Sequence, residues 1–491
     1  MDHEAIIVGA GFSGIGAALR LDRAGIHDYL VLEEGGGVGG AWYWNTYPGI
    51  AVDIPSFSYQ FSFEKNPNWS RVYAPGAELK DYAEHCVAKY RLASRIRLNT
   101  KVLGARYDDD LDLWRVNAAG EEITARYLIS ATGLLSKPRM PDIDGIGDFA
   151  GTVIHTARWD HNADLTGKRV AVIGTGASGL QVIPEIADTA GKLTVFQRTP
   201  IWCLPKIDVR LPVPLRSLLR VKPFATAARL FGHAIAEIQF PLLVHYNGVL
   251  PISTLGQAIS KAQLRWQVRD PRVRAKLRPD YTLGCKRPSI SNTYLATFNR
   301  PNVALETAPI ETVTAHGVRT ADGVSHPIDI LVLATGFKTW DPENMPAFPV
   351  HGSDGVELGG WWKVNRHQAY EGVSVPGFPN YFMIFGPYGY NGTSYFQLIE
   401  TQMRHIVRCL ARARRTGSTR IEVKPEANER YFRTMLQRQG KQVFQHGDCT
   451  GARSYYYDAN GDIPFRPTTS LETAWRSVTF DLDDYTFAAP A

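Results

Sequence analysis

A strand, a glycine-rich turn, a helix and a second strand occur in that order twice in this chain. The first unit covers residues 5–33 and has the turn sequence GAGFSG at 9–14; the second covers residues 169–198 and has GTGASG at 174–179. Each unit is a βαβ element, and its two strands are parallel because the helix crosses back over the sheet. The repetition therefore predicts an α/β fold with two Rossmann-like dinucleotide-binding domains.

The first turn has the residue types that a bound dinucleotide requires. Gly9 permits a tight turn, Gly11 lets the backbone approach a pyrophosphate, and Gly14 allows close packing of helix against strand. Glu33 ends the following strand, 19 residues beyond Gly14, where a carboxylate suits the hydroxyl pair of a ribose. A glycine turn alone is a weak signal, but in this context it indicates a nucleotide site.

The second unit differs from the first in the charge at the end of its second strand. Arg198 lies 19 residues beyond Gly179, the position that Glu33 occupies in the first unit. A guanidinium there pairs well with a 2′-phosphate, which favours NADP(H) over NAD(H); a solvated arginine at a strand end is the alternative. An acidic first site and a basic second site suggest that electrons pass from NADPH to FAD.

Composition disfavours several other classes of protein. The five cysteines are scattered without a C-x-x-C pair, so no metal site and no disulfide reductase is indicated, and reduced thiols are expected. The chain has no run of about 20 apolar residues, so no transmembrane segment is predicted. No signal peptide is expected before the first strand. The basic residues between 404 and 420 lack interleaved aromatics, which argues against nucleic-acid binding. A cytoplasmic protein is predicted.

The two units also divide the 491 residues into predicted domains. Residues 1–142 and 337–491 are assigned to a discontinuous FAD-binding domain, and residues 143–200 and 283–336 to an NADPH-binding domain. The proline-punctuated stretch 201–282 is predicted to be a helical insertion in the NADPH domain. Its aromatic side chains are expected to pack inside the insertion, with contact to a lipophilic substrate or to a membrane surface as alternatives: Trp202, Phe224, Phe231, Phe240 and Trp266.

Three segments resemble signature sequences of the type I Baeyer–Villiger monooxygenases, which are class B flavoprotein monooxygenases. They are GGAWYWNTYPGIAVD at 39–53, FAGTVIHTARWD at 149–160 and GCKRP at 284–288. The resemblance implies an enzyme that uses FAD, NADPH and O2. Such an enzyme inserts one oxygen atom next to the carbonyl of a small-molecule ketone, through a C4a-peroxyflavin, and releases an ester or a lactone.

The resemblance also assigns roles to individual residues. Arg287 matches the active-site arginine of the family, and Asp53 matches the aspartate that pairs with it; a turn-capping Asp53 and a solvated basic pair at 286–287 are the alternatives. The residues expected to bind the two cofactors are Gly9, Gly11, Phe12, Ser13, Gly14, Glu33, Gly40, Trp42, Asp53, Tyr59, Val102, Thr132, Gly174, Thr175, Gly176, Ser178, Gly179, Gln181, Arg198, Thr199, Lys286 and Arg287. Among them, the 2′-phosphate of NADPH is assigned to Arg198, Thr199 and Lys286.

Two alternatives to ketone oxygenation stay open at the level of sequence. An N- or S-oxygenating flavin monooxygenase has the same architecture, and a flavin-binding protein without turnover has the same two turns. The chain also departs from the family in a C-terminal loop, placed at 447–451, which lacks the tryptophan of better-known members. The tyrosines at 455–457 are candidates to replace it, and no motif specifies which ketone is the substrate.

Overall fold

The chain forms two mainly parallel sheets with helices packed on them, and the computed structural model describes residues 1–249 and 252–489. The strands are β1 His3–Val8, β2 Tyr29–Leu32, β3 Ile96–Arg97, β4 Val102–Asp108, β5 Leu113–Ala118, β6 Glu121–Ser130, β7 Lys137–Pro138, β8 Thr152–His155, β9 Arg169–Ile173, β10 Lys192–Phe196, β11 Cys203–Leu204, β12 Ser289–Ile290, β13 Val303–Glu306, β14 Ile310–Thr314, β15 Gly317–Thr320, β16 Ser325–Pro327, β17 Ile330–Leu333, β18 Phe337–Lys338, β19 Val350–His351, β20 Tyr381–Met383, β21 Arg420–Val423 and β22 Tyr485–Ala488. The α-helices are α1 Phe12–Arg23, α2 Ala41–Trp44, α3 Gly76–Lys89, α4 Ala177–Ile186, α5 Val213–Leu218, α6 Lys222–Glu237, α7 Ile252–Gln267, α8 Pro271–Leu277, α9 Tyr294–Thr297, α10 Leu358–Asn365, α11 Tyr395–Thr416, α12 Pro425–Gln439, α13 Val443–His446 and α14 Ser470–Thr479.

The larger sheet is built around the first βαβ unit. It has eight strands in the order β19-β4-β5-β6-β1-β2-β3, with β20 paired to β6. Strand β1 lies between β2 and β6 and is parallel to both, so that Ile7 faces Val31 on one side and Ile129 on the other. Both faces of these central strands are covered, which explains their unbroken apolar sequences.

The second βαβ unit forms the core of a five-stranded sheet. The strand order is β13-β10-β9-β17-β8, and every pairing in it is parallel. Helix α4 connects β9 to β10 across one face and packs on them through Leu180, Val182 and Ile183. Two Rossmann-like units are therefore present at residues 5–33 and 169–198, as the sequence predicts.

The two glycine turns meet their sheets in the same way. Gly9 and Gly174 both have a φ of +105°, which side-chain-bearing residues rarely adopt. A Cβ on Gly9 would lie 2.7 Å from the carbonyl oxygen of Ala131, and one on Gly174 would lie 2.5 Å from that of Ala334. These two alanines begin the Ala-Thr-Gly tripeptides that follow β6 and β17. The requirement for glycine thus comes from a neighbouring strand end in both units.

The stretch 201–282 is helical, as predicted, and contains α5 to α8 together with a π-helical segment, Ile238–His245. The prediction that its aromatic side chains pack inside it holds for Trp202, which is buried and contacts Tyr281. Phe240 is also buried, but it packs against Tyr456 and Phe465 outside this stretch. The prediction is wrong for Phe224, Phe231 and Trp266, which are 49%, 56% and 83% exposed. The reason is that α6 and α7 pack on the rest of the protein along one face each and carry apolar residues on the other face as well.

Candidate active site

One cavity of about 420 Å³ extends from the first glycine turn toward the second. Fourteen of the residues predicted from the sequence line it: Gly9, Gly11, Phe12, Ser13, Glu33, Gly40, Trp42, Asp53, Tyr59, Val102, Thr132, Ser178, Gln181 and Arg287. The remaining predicted residues are not part of its wall: Gly14, Gly174, Thr175, Gly176, Gly179, Arg198, Thr199 and Lys286. The cavity therefore connects the first glycine turn, the start of helix α4 within the second turn, and the predicted pair of Arg287 and Asp53.

The end of the cavity at the first turn suits a nucleotide. Glu33 is buried, and its two carboxylate oxygens accept the N–H groups of Ala10 and Gly35, each at 2.7 Å. Burial raises the pKa of Glu33 more than these hydrogen bonds lower it. Helix α1 begins at Phe12 without a side-chain cap, so the free N–H groups of its first turn are open to a phosphate. The residues present thus fit the pyrophosphate and ribose of FAD.

The predicted pairing of Arg287 with Asp53 is present in the cavity wall. The guanidinium donates from Nε and from Nη2 to the two oxygens of Asp53, at 2.6 and 2.8 Å. Burial, the largest single effect, would raise the pKa of Asp53, but the charge of Arg287 and its hydrogen bonds, together with smaller contributions that include the charge of Lys206, lower the pKa overall. Burial, the largest single effect, would lower the pKa of Arg287, but the charge of Asp53, its hydrogen bonds and the neighbouring Tyr455 and Tyr456 together hold that pKa well above its ordinary value. Both side chains are therefore ionised at any working pH.

Three tyrosines surround this ion pair, and sequence reasoning identified only the two in the 455–457 segment. Tyr455 and Tyr456 line the cavity together with Tyr390, which was missed. Burial raises the pKa of Tyr456 well above its ordinary value, so its phenol stays neutral. Among the residues described here, none hydrogen-bonds to its buried hydroxyl. Further aromatic side chains complete an apolar wall: Phe240, Phe337, Phe348, Phe385 and Phe465.

A group of cations marks the other predicted phosphate site. Burial first, and then the positive charge of Arg198, lower the pKa of Lys286 to about 8. Arg198 itself has a lowered pKa because of burial and the charge of Arg453. Within residues 1–249 and 252–489, no carboxylate forms an ion pair with any of these three side chains. These cations repel one another without a counter-ion, and a bound 2′-phosphate would relieve that repulsion. The sequence contained no signal for Arg453.

The side chain of Gln181 connects the second unit to the segment that carries Asp53. Its amide donates to the carbonyl oxygen of Ala51 at 2.9 Å and accepts from the hydroxyl of Tyr47 at 2.8 Å. Gly49 is packed against the same helix, since a Cβ there would lie 2.7 Å from the backbone oxygen of Gln181. Gln181 was predicted to bind a cofactor, and in the structure both ends of its amide hydrogen-bond to the protein.

His155 and Trp159, which belong to the 149–160 segment, contact other protein groups. His155 Nδ1 accepts the N–H of Ala157 at 3.0 Å, and its Nε2 lies 3.3 Å from the hydroxyl of Thr335. Burial lowers the pKa of His155, so the ring is neutral near pH 7. Trp159 packs against the core of the second sheet. Neither residue lines the cavity.

A disulfide joins Cys285 to Cys449, with 5.3 Å between the two Cα atoms. The prediction of five reduced thiols is therefore wrong for this pair, while Cys86, Cys203 and Cys409 are free and buried. The pairing was not visible in the sequence because the two cysteines are 164 residues apart and only the fold brings their loops together. The bond ties the 447–451 loop to the residue that immediately precedes Lys286 and Arg287.

A membrane-spanning helix and a metal-binding cluster are both absent from the parts of the chain that the structure describes. No helix between residues 1–249 or 252–489 is both long enough and apolar enough to cross a membrane. In the same residues, no group of three or more histidine, cysteine, aspartate or glutamate side chains is placed to hold a metal ion.

Two Rossmann-like units that open onto one cavity, the first with an acidic strand end and the second with a basic one, define a flavin- and nicotinamide-dependent oxidoreductase. Residues 6–230 match the family model described as pyridine nucleotide-disulphide oxidoreductase. The whole chain is 37% identical to a Baeyer–Villiger monooxygenase of Streptomyces coelicolor and covers 94% of it. The chain belongs to the Baeyer–Villiger monooxygenase family.

Solved structures of related monooxygenases share the complete fold. The OTEMO complex with FAD and NADP is 30% identical, with a TM-score of 0.88 over 99% of both chains. An oxidized steroid monooxygenase bound to NADP is 29% identical, with a TM-score of 0.89 over 100% of both chains. These similarities favour oxygen insertion next to a carbonyl over the two alternatives, N- or S-oxygenation and flavin binding without turnover.

Proposed function

We propose that this enzyme converts a lipophilic ketone to an ester or lactone, and that Arg287, held by Asp53, is its catalytic cation. The observation that carries the proposal is the position of this ion pair, which lies in the cavity wall between the two nucleotide turns. Bound FAD supplies the activation of O2, with electrons that NADPH provides. The other roles, which are binding the cofactors and the substrate and stabilising charge in the cavity, are assigned to side chains of this protein.

Arg287 is placed to stabilise negative charge in the cavity. Its Nε and Nη2 donate to Asp53, which leaves the N–H groups of Nη1 available for an oxygen atom of the substrate. When the carbonyl carbon of a ketone is attacked, its oxygen becomes negative, and a fixed guanidinium stabilises that charge without reorganising. Asp53 acts as a positioning residue, because its two hydrogen bonds fix the plane of the guanidinium.

The cofactors are assigned to the two turns as the sequence predicts. FAD is held by the turn at 9–14, with Glu33 at the ribose and with Trp42 and Tyr59 along the cavity wall. NADPH is held by the turn at 174–179, with its 2′-phosphate between Arg198 and Lys286. The unpaired charges of these two side chains support this placement. We place the activity in the cytoplasm because the reaction consumes NADPH.

The substrate is assigned to the class of lipophilic ketones because the cavity wall near Arg287 is aromatic. Phe240, Tyr390, Tyr456 and Phe465 present rings and few hydrogen-bonding atoms. Such a wall favours apolar ligands, and it excludes water from the reacting atoms. A carbonyl oxygen is the one polar group that such a ligand needs, and Arg287 is the cation that receives it.

A panel of small cyclic, long-chain and steroidal ketones, scored for ester or lactone by mass spectrometry, tests this function. Product must be measured, because NADPH is also consumed when oxygen is reduced without insertion. The proposal predicts ester from at least one lipophilic ketone with the wild-type enzyme, and at least roughly 100-fold less ester with Arg287→Ala that still binds FAD. Oxidation of sulfides or amines without any ketone product across the panel would contradict it.

A further inference from the structure

Helix α6 carries an apolar stripe that faces away from the protein. Phe224, Ala227, Phe231, Ala234 and Ile238 follow one another at intervals of three or four residues, and all five are exposed. This spacing places them on one side of a helix. The opposite side is in contact with the protein, since a Cβ added to Gly232 would lie 3.0 Å from Ser58. A helix of a globular protein ordinarily directs its apolar stripe inward, so this outward stripe requires a partner.

The exposed apolar surface extends beyond α6. Between the start of α5 and the end of the stripe, the same part of the chain exposes Val213, Leu215, Leu218, Val221 and Leu230. Single exposed apolar residues are common on protein surfaces, but a succession of them along 26 residues is not. We refer to residues 213–238 as the α5–α6 surface.

Cations that form no ion pair with a carboxylate of the described residues accompany this surface. Lys222 begins α6, where no acidic residue occupies the first turn to balance the positive end of the helix dipole. Lys65 donates to Thr226 of α6 at 3.2 Å, and burial and then the charges of Arg229 and Lys222 lower its pKa. Considering only the described residues, no carboxylate forms an ion pair with Lys65, Arg220 or Lys222.

A hollow beside α5 adds three guanidinium groups. It is lined by Arg71, Arg210 and Arg216, with Ser70, Leu211 and Pro212. The Nε of Arg216 is buried, and no described residue accepts its hydrogen. Asp208 offers partial compensation, at 3.5 Å from Arg71. Several arginines around one hollow are suited to a phosphate group.

We propose that the α5–α6 surface docks the enzyme onto an anionic lipid bilayer. The apolar stripe would enter the interface between headgroups and acyl chains, and the flanking cations would contact lipid phosphates. An amphipathic helix with apolar residues on one side and lysine and arginine around them is the arrangement that lies in the plane of a membrane. The positive charge of the α5–α6 surface favours an anionic bilayer over a second copy of the chain as its partner. A second copy would bring the same unpaired cations to a two-fold interface, where they would repel one another.

The test is flotation of the FAD-loaded, full-length enzyme with vesicles of phosphatidylcholine alone and of phosphatidylcholine with phosphatidylglycerol. The enzyme is expected to bind the mixed vesicles. This binding should weaken as salt is added, since salt screens the attraction between the cations and the lipid phosphates. Phe224→Ser/Phe231→Ser should reduce the partition coefficient by at least roughly tenfold. Arg220→Gln/Lys222→Gln should reduce it by roughly fivefold for each cation removed.

Matched variants elsewhere on the surface serve as controls. Val364→Ser/Leu111→Ser removes two apolar side chains that are 83% and 58% exposed, and Lys168→Gln/Lys192→Gln removes two exposed lysines. Both controls should float like the wild type, and all variants should keep their FAD and their turnover of a water-soluble ketone. The proposal is overturned if the wild type ignores the mixed vesicles, or if the controls lose as much binding as the α5–α6 variants. It is also overturned if light scattering finds a wild-type dimer that Phe224→Ser/Phe231→Ser dissociates.

Discussion

The affinity of this enzyme for NADP⁺ should fall as the pH passes about 8, because Lys286 loses its proton there. Below that pH the ammonium group is charged and can donate to the 2′-phosphate. Above it, the neutral amine no longer supplies a charge-assisted hydrogen bond, which is worth roughly 1.5–3 kcal/mol, or about 10- to 100-fold in affinity. Binding of the phosphate raises the pKa of the lysine. The binding free energy of NADP⁺ therefore weakens over one to two pH units above pH 8, by about 1.4 kcal/mol for each pH unit.

The measurement is calorimetric titration of the FAD-loaded enzyme with NADP⁺ over a range that begins above the second pKa of the phosphate, about 6. NAD⁺, which lacks the 2′-phosphate, should bind with an affinity that is flat over the same range. Lys286→Arg should abolish the pH dependence, since arginine stays charged. Arg198→Ala should weaken binding and move the onset to higher pH, because the charge of Arg198 lowers the pKa of Lys286. The reasoning is refuted if the wild-type dissociation constant is constant through pH 8, or if Lys286→Arg keeps the same onset.

Three further outcomes are expected. Arg287→Ala should lower ester formation by roughly 10²- to 10³-fold while FAD content and the rate of flavin reduction by NADPH stay near wild type; a loss of flavin reduction instead would place Arg287 outside the oxygenation step. Gly174→Ala should destabilise the protein by roughly 1–3 kcal/mol in a thermal melt, because at a φ of +105° a Cβ would lie 2.5 Å from the carbonyl oxygen of Ala334. The control Gly167→Ala, at a φ of +70° with no atom within 4 Å of the added Cβ, should destabilise the protein less. Tyr456→Phe should leave the melting temperature unchanged, since the buried hydroxyl has no hydrogen-bond partner among the described residues; a clear drop would mean that the hydroxyl is bonded within the protein.

The parts of this fold that follow from local sequence were predictable. A glycine turn between an apolar strand and a helix specifies a βαβ unit through contacts within about 30 residues, so both units were found, with bounds within two residues of the observed strands. Comparing the two units also identified Arg198, because equal spacing places it where Glu33 lies in the first unit. Family resemblance contributed the pairing of Arg287 with Asp53, which are 234 residues apart and have no local relation.

The rest of the site depends on contacts between distant loops, which no local pattern encodes. Arg453 lies near Arg198, and Tyr390 near Arg287, only because the C-terminal segment folds back over the cavity. The disulfide between Cys285 and Cys449 has the same origin. Exposure of Phe224 and Phe231 was missed for a different reason: helical spacing shows which residues share a face, but it does not show whether that face is covered.

The bridge made by Gln181 has a mechanical consequence. This residue lies one turn into the helix that follows the second glycine turn, and its amide holds both Tyr47 and Ala51. Ala51 is two residues from Asp53, which in turn fixes the plane of the Arg287 guanidinium. Arg287 lies in the stretch 283–336, which is assigned to the same predicted domain as Gln181, so a rotation between the two predicted domains would disturb the Gln181 amide and the Arg287–Asp53 ion pair together.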